Sequence, residues 1–299
     1  MRKSDKTVVI CILARDCNRA LKRNIPQIER VLGYFSDARI IVVENDSIDG
    51  TKDTLHQWAA INKNVTVISE DTQQVTIPKS IGSGKNPTTS FHRIHKMAQF
   101  RNKYLSFIKD NNIISDYIIV IDIDLYKIYP KKIISAIKNA PDDWCAIFAN
   151  GLLCSNFPFI TKYYDDYAYL PYSSDSNSFT YRERLVNVDE LTQYLRKNDY
   201  VKVHSAFAGI GIYTYEALCS TEYRALPSSS GEDEVLCEHV SVNLDCAKYG
   251  SLYVSKKMKI ISTKPKLSPF IVLTNKTYIF LWEKMTKSEF SWNRKLPWK

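Results

Sequence analysis

Short apolar runs that alternate with amphipathic stretches constrain this chain more tightly than any other feature. Val8–Ala14, Arg39–Glu44, Val65–Ser69 and Tyr117–Ile121 each read as a strand. Between them, Asn18–Phe35 places Leu21, Ile25, Ile28, Val31 and Leu32 on one helical face. A helix beginning near Gly50 carries Leu55, Trp58 and Ala59, and His92–Lys109 has the spacing of a long helix. Continuous apolar runs belong to strands buried on both faces. Strands that alternate with helices form a mostly parallel sheet covered by helices, so the expected class is α/β. Ligands of such sheets bind beyond the carboxyl ends of the strands. Here those ends are polar: Arg15-Asp16, Glu44-Asn45-Asp46-Ser47 and Asp122-Ile123-Asp124.

The second half is less regular. Ser155–Tyr181 is rich in Tyr, Phe, Ser and Asp with little periodicity, and reads either as a substrate-facing insertion or as a packed surface loop. Val201–Tyr213 is an apolar, strand-like stretch containing Gly209 and Gly211, and Gly231 precedes an expected helix from Glu234 to Tyr249. With no internal repeat and no low-complexity linker, the simplest partition is one unit over 1–260, with halves of about 1–125 and 126–260, followed by a distinct tail over 261–299.

Composition narrows the class further. Aromatic residues at 12% argue against disorder, and 9 Gly with 11 Pro in 299 residues exclude a collagen-like or low-complexity chain. A net charge of +9 attracts nucleic acid, anionic lipid or phosphorylated substrates. The 7 cysteines form no CxxC pair, which argues against a zinc knuckle or redox motif and fits free thiols in a reducing compartment. The apolar run Val8–Leu13 stops at Arg15-Asp16, too short for most signal-peptide cores, and no window approaches the ~20 apolar residues of a membrane span. A cytoplasmic protein with at most peripheral membrane contact is expected.

Asp122-Ile123-Asp124 is the sharpest chemical feature. Residues two apart in extended backbone point the same way, so both carboxylates share one concave site. Their repulsion and the cost of their burial are relieved by a divalent cation. Mg2+ and Mn2+ both suit an oxygen-rich site of one or two carboxylates completed by water and phosphate. The alternative is a solvated strand end.

Strand-ending Asp122-Ile123-Asp124 resembles the DxD signature of the Rossmann-like GT-A glycosyltransferases. Ile12-Leu13-Ala14-Arg15-Asp16 and Glu44-Asn45-Asp46-Ser47-Ile48-Asp49-Gly50-Thr51 precede it in order, as does Arg93 followed by Met97–Leu105 with Arg101-Asn102. Together these pieces are most similar to the cryptococcal mannosyltransferase-like, capsule-associated group, over roughly residues 6–255. The resemblance implies a nucleotide-sugar donor, a Mn2+ or Mg2+ ion and transfer of a hexose such as mannose to a hydroxyl of a glycan or lipid-linked acceptor. It also implies a nucleotide-sugar half over about 1–125 and an acceptor half over about 126–260.

Under that reading Arg15 faces base or phosphate, while Glu44 and Asp46 accept hydrogen bonds from base and ribose. Asp46 and Ser47 equally suit a turn, and Asp49 a helix cap. Arg93 and Arg101 are eight apart on one helical face, where guanidinium forks bind phosphate, or where they form an ordinary basic face. Asp122 joins Arg15, Glu44, Asp46, Arg93 and Arg101 as a donor contact and shares the metal with Asp124. A late histidine completes the metal shell in some related folds, which makes His239 the third candidate ligand, against a structural histidine. Transfer requires the acceptor hydroxyl to lose a proton. Asp233 is the first candidate base, with Glu232 and Glu234 behind it; acids at a helix N-terminus also simply favour the helix dipole. Gly82-Ser83-Gly84-Lys85 lacks phosphate-loop spacing and reads as a mobile loop.

The tail from Asn275 to Lys299 interleaves six aromatics with six basic residues against two acids. This pattern suits an anionic membrane surface, or a segment packed back on the domain, and no nucleic acid is expected as a partner. Two other readings remain open at this level. A nucleotidyltransferase requires an early glycine-rich phosphate loop, and none follows Val8–Ala14. A non-catalytic membrane or nucleic-acid binding module has no need of the acidic triplet.

Overall fold

The computed structural model describes residues 3–73, 75, 77, 78, 86–154, 161–230 and 232–263. The 82–85 loop and the 275–299 tail lie outside them. The first half runs β1 (Thr7–Ala14), α1 (Asn18–Leu32), β2 (Asp37–Asn45), α2 (Thr51–Ile61), β3 (Val65–Glu70), α3 (Phe91–Asp110) and β4 (Tyr117–Asp122). The second half comprises α4 (Pro130–Lys138), β5 (Trp144–Cys154), β6 (Thr161–Tyr163), β7 (Leu170–Pro171), α5 (Tyr181–Lys197), β8 (Tyr200–Ser205), β9 (Ile210–Thr214), α6 (Tyr215–Cys219), α7 (Glu238–Cys246) and β10 (Ser251–Ile261).

One sheet holds all of these strands in the order β3-β2-β1-β4-β9-β5-β10-β8-β7, with β6 attached to β5. From β3 to β4 every pairing is parallel, as the apolar runs imply. Beyond β4 the sheet is mixed, because β9 enters antiparallel between β4 and β5. Strand alternation splits the core into two layers. Val9, Cys11, Ile118 and Val120 point towards the layer covered by α3, α5, α6 and α7. Val8, Ile10, Ile12, Ile119 and Ile121 point towards α1, α2 and α4. Both faces are dry, which is why these runs carry no polar alternation.

Two sequence expectations change. Val201–Tyr213 is not one strand: β8 and β9 are separated by a tight turn at Ala206–Gly209 and have different neighbours. The helix expected from Glu234 is α7, which begins at Glu238 and ends at Cys246. Residues 232–234 precede it because their side chains are engaged elsewhere, as described below. Ser155–Tyr181 includes β6 and β7, and its 164–167 segment faces the cleft.

The ends of the parallel strands are fastened by polar side chains. Glu44 lies opposite Ala14, and Asp122 opposite Leu13. Asp16 Oδ1 accepts the Ile48 N–H at 2.8 Å, and the Asp16 N–H donates to Ser47 Oγ at 3.1 Å. Asp49 accepts from the first residues of both flanking helices, Asn18 N–H at 2.9 Å and Thr51 N–H at 3.0 Å. The turn after β4 is held from α1: buried Asn24 donates through Nδ2 to the carbonyls of Ile123 at 2.8 Å and Leu125 at 2.6 Å. An apolar replacement leaves the Ile123 carbonyl without that donor and weakens the hold on Leu125. Asn24→Leu is therefore expected to cost about 1–3 kcal/mol, measured as a lower urea midpoint at unchanged slope.

Candidate active site

The carboxyl ends of β1 and β4, the inner face of α3, the 164–167 segment and the start of α7 enclose a cleft of about 300 Å³. Its chemistry is organised by Arg101. Only 3% of this side chain is exposed. Nε donates to Glu238 Oε1 at 2.9 Å, and Nη2 donates to Asp122 Oδ1 at 3.3 Å. The guanidinium lies 5.2 Å from the Phe207 ring centre and 5.8 Å from that of Tyr223. Among the described residues its Nη1 has no hydrogen-bond partner. Arg101 thus ties β4 to α7 across the floor of the cleft.

The acids around it are crowded. Burial pushes the Asp122 carboxyl up to about 7 against the pull of Arg101, and Asp124 adds to the rise. Burial also raises Asp124. Asp165, on the segment between β6 and β7, is pushed up to about 7 by burial and by Asp122 and Glu238. Asp122, Asp124, Asp165 and Glu238 all line the cleft, with Arg15 and Arg93 beside them. Arg93 also donates to the Thr88 carbonyl at 2.7 Å.

The family model described as cryptococcal mannosyltransferase 1 matches residues 7–245, most of the chain. The chain belongs to this family. Glycosyltransferases make up the family, and the acid pair lies at the end of a strand that pairs in parallel with β1. Among solved structures, a mannosyltransferase from Pyrobaculum calidifontis in complex with GDP-Man and Mn2+ is 12% identical, with a TM-score of 0.47 over 96% of this chain and 66% of that one. TarS from S. aureus is 10% identical, with a TM-score of 0.46 over 87% and 61%. Glucosyl-3-phosphoglycerate synthase from Mycobacterium tuberculosis in complex with UDP is 12% identical, with a TM-score of 0.41 over 94% and 80%. The chain thus spans less than two thirds of the first two. No match was found among curated protein sequences. Membership in the family rests on the family match.

Arg15, Arg93, Arg101, Asp122 and Asp124 all line the cleft. Glu44 and Asp46 do not. Glu44 is fully buried, and its carboxylate accepts the Ser47 N–H at 2.9 Å and the Ser69 hydroxyl. Asp46, at φ +50°, accepts the N–H groups of Thr72 and Gln73, each at 2.7 Å, and the Thr72 hydroxyl at 2.8 Å. Both acids close turns, and Asn45 between them faces the cleft.

The acidic run before α7 is likewise committed elsewhere. Asp233 pairs with Arg184, Glu232 accepts the Tyr181 N–H at the start of α5, and Glu234 accepts the Phe91 N–H at 2.8 Å at the start of α3. None of the three lines the cleft. Glu238 and Asp165 occupy the cleft instead. Sequence spacing offered no signal for Asp165, since its partners come from strands far along the chain.

His239 does line the cleft, but its ring stacks on Phe207 at 3.6 Å between centres. Burial, and then Arg101, hold it well below the ordinary histidine range, so it is neutral. Among the described residues no three His, Cys, Asp or Glu side chains gather into a metal-holding group.

Two outcomes test this account. Arg101→Met leaves Asp122 and Glu238 buried and uncompensated, and is expected to cost about 3–5 kcal/mol in chemical denaturation. Arg101→Lys is expected to recover little, since one ammonium does not reproduce the two-sided fork. Burial opposes ionisation of Asp46, but hydrogen bonds from Asn45, Thr72 and Gln73 prevail and hold it well below the usual carboxylate range. Its stabilisation is complete above the unfolded value of about 3.9 and fades as pH falls below it. The stability gap between the unmodified protein and Asp46→Asn is expected to be widest near neutral pH and to narrow below about pH 4.

Proposed function

We propose that this protein is a metal-dependent glycosyltransferase that moves a hexose from a nucleotide-diphosphate sugar to a hydroxyl of a glycan or lipid-linked acceptor. The observation that carries this reading is the Asp122–Asp124 pair at the end of β4, facing a cleft lined by Arg15 and Arg93. The donor set fits the group implied by the family. Two carboxylates whose protonation is favoured by burial are stabilised in their charged form by a divalent cation, and Mn2+ or Mg2+ takes one or two carboxylates plus phosphate oxygens. When bound, the ion neutralises charge on the departing diphosphate.

The chain's own residues do the rest. Arg101 fixes the rotamer of Asp122 through its Nη2 bond. Asn24 fixes the backbone on which Asp124 sits. Arg15 and Arg93 present guanidinium groups suited to phosphate. Asn45, at the end of β2, lines the same cleft. Mannose is the first sugar to test, given the family's description.

No described helix is long and apolar enough to cross a membrane. The basic aromatic segment 275–299 is proposed to bring the enzyme to an anionic membrane surface, where Trp and Lys or Arg side chains share the interface.

A thermal-shift panel of nucleotide sugars tests the reading. GDP-mannose or UDP-sugars with Mn2+ are expected to raise the melting temperature, and EDTA is expected to abolish the shift, because a ligand that binds only the folded state stabilises it. Asp124→Asn and Asp122→Asn should each lower turnover by about two orders of magnitude or more, the scale of losing a group that stabilises transition-state charge. Full turnover in both variants overturns the metal assignment. Release of pyrophosphate from a nucleoside triphosphate favours a nucleotidyltransferase instead.

A further inference from the structure

Asp165 and Ala208 both adopt left-handed backbone conformations, at φ +71° and +52°. Non-glycine residues rarely sit there, and strain of this kind clusters at ligand sites. The two are 43 residues apart in sequence, yet the Ala208 N–H donates to Asp165 Oδ2 at 3.1 Å. The arrangement is held on several sides. Ala208 packs so closely over Gly151 that a Cβ on Gly151 would lie 2.8 Å from that of Ala208 and 3.1 Å from that of Tyr164. The following Gly209, at φ +82°, has no room for a Cβ beside Leu125, and its carbonyl accepts the Asp122 N–H at 2.9 Å. The strained turn that holds Asp165 is therefore hydrogen-bonded directly to the backbone of the metal-site aspartate.

Asp165 lines the cleft together with Tyr164, Tyr167 and Phe207. Among the described residues, Ala208 supplies the one hydrogen bond to its carboxyl group, so Oδ1 has no donor there. A carboxyl group enclosed in this way favours incoming hydroxyl donors. A carboxylate beside tyrosine rings is chemistry suited to a sugar, whose hydroxyls donate to the acid while its C–H faces lie against apolar surface. A sugar attached to a diphosphate held at Asp122 and Asp124 would sit in this same cleft, whose wall includes Asp165.

We infer that Asp165 grips a hydroxyl of the hexose being transferred and so helps select the sugar of the donor. The inference rests on the glycosyl-transfer reading above and names a residue that reads the sugar rather than the nucleotide.

Calorimetric titration separates these contributions. The probes are whichever of GDP-mannose and UDP-glucose stabilises the unmodified protein, and the matching GDP or UDP, each with Mn2+. Asp165→Ala is expected to weaken the nucleotide sugar by about 10–100-fold, the range for a hydrogen bond to a charged group, and to leave the nucleoside diphosphate within about threefold. Asn tolerates the left-handed backbone, so Asp165→Asn keeps the test decisive should the alanine variant fail to fold, and a selective loss of about tenfold is expected from it. Equal weakening of sugar and diphosphate, or no weakening of the sugar, overturns the inference while the glycosyl-transfer reading stands. An unmodified protein that binds no nucleotide sugar overturns both.

Discussion

One guanidinium, taken out of water by α3 and placed between the carboxylates of Asp122 and Glu238, joins the two halves of the molecule at the cleft. Burying a guanidinium with two carboxyl groups is costly, and an ion pair in such a place repays that cost only with good geometry and further contacts. Arg101 has both. Its fork meets two acids from different directions, and the rings of Phe207 and Tyr223 lie within cation–π range. What this arrangement supplies is position. Asp122 belongs to the parallel half of the sheet and Glu238 to the first turn of α7, so their spacing is set by one side chain from a third element.

Around that link, polar side chains restrain the backbone wherever the strands leave the core. Asp16 and Asp46 adopt left-handed conformations and bond to neighbouring loops, Asn24 holds the turn after β4, and Asn102 exchanges hydrogen bonds with the backbone of Tyr223, both at 2.9 Å. Each satisfies backbone groups that would otherwise be stranded where the sheet ends. The cleft is consequently walled by short segments with little freedom, anchored on a sheet whose two faces are closely packed. Such walls suit a reaction in which donor and acceptor must be oriented together.

The parallel half was legible because its signal is local. Strands buried on both faces produce unbroken apolar runs, and Leu21, Ile28, Val31 and Leu32 mark the inner face of α1 by spacing alone. The Asp122–Asp124 pair was legible for the same reason, since residues two apart at a strand end share a side whatever the rest of the chain does. In the second half, β9 lies between β4 and β5, and β10 between β5 and β8. Those neighbours are chosen by packing between distant segments, and no short window of sequence contains that choice.

Residue roles divide along the same line. Sequence determined which side chains could carry chemistry: the acids at strand ends, the two arginines on one helical face, and the acidic run before α7. Tertiary structure decided which of them face the cleft. Glu232 and Glu234 serve the N-termini of α5 and α3, because those helix ends happen to lie beside them and their exposed N–H groups attract carboxylates. Glu44 is consumed by Ser47 and Ser69, while Asp165, unremarkable in its tyrosine-rich segment, is brought to the cleft by the turn at Ala208. A residue's chemistry is local, but its partners are fixed by folding, because hydrogen-bond and charge contacts are made through a few ångströms of space rather than along the chain.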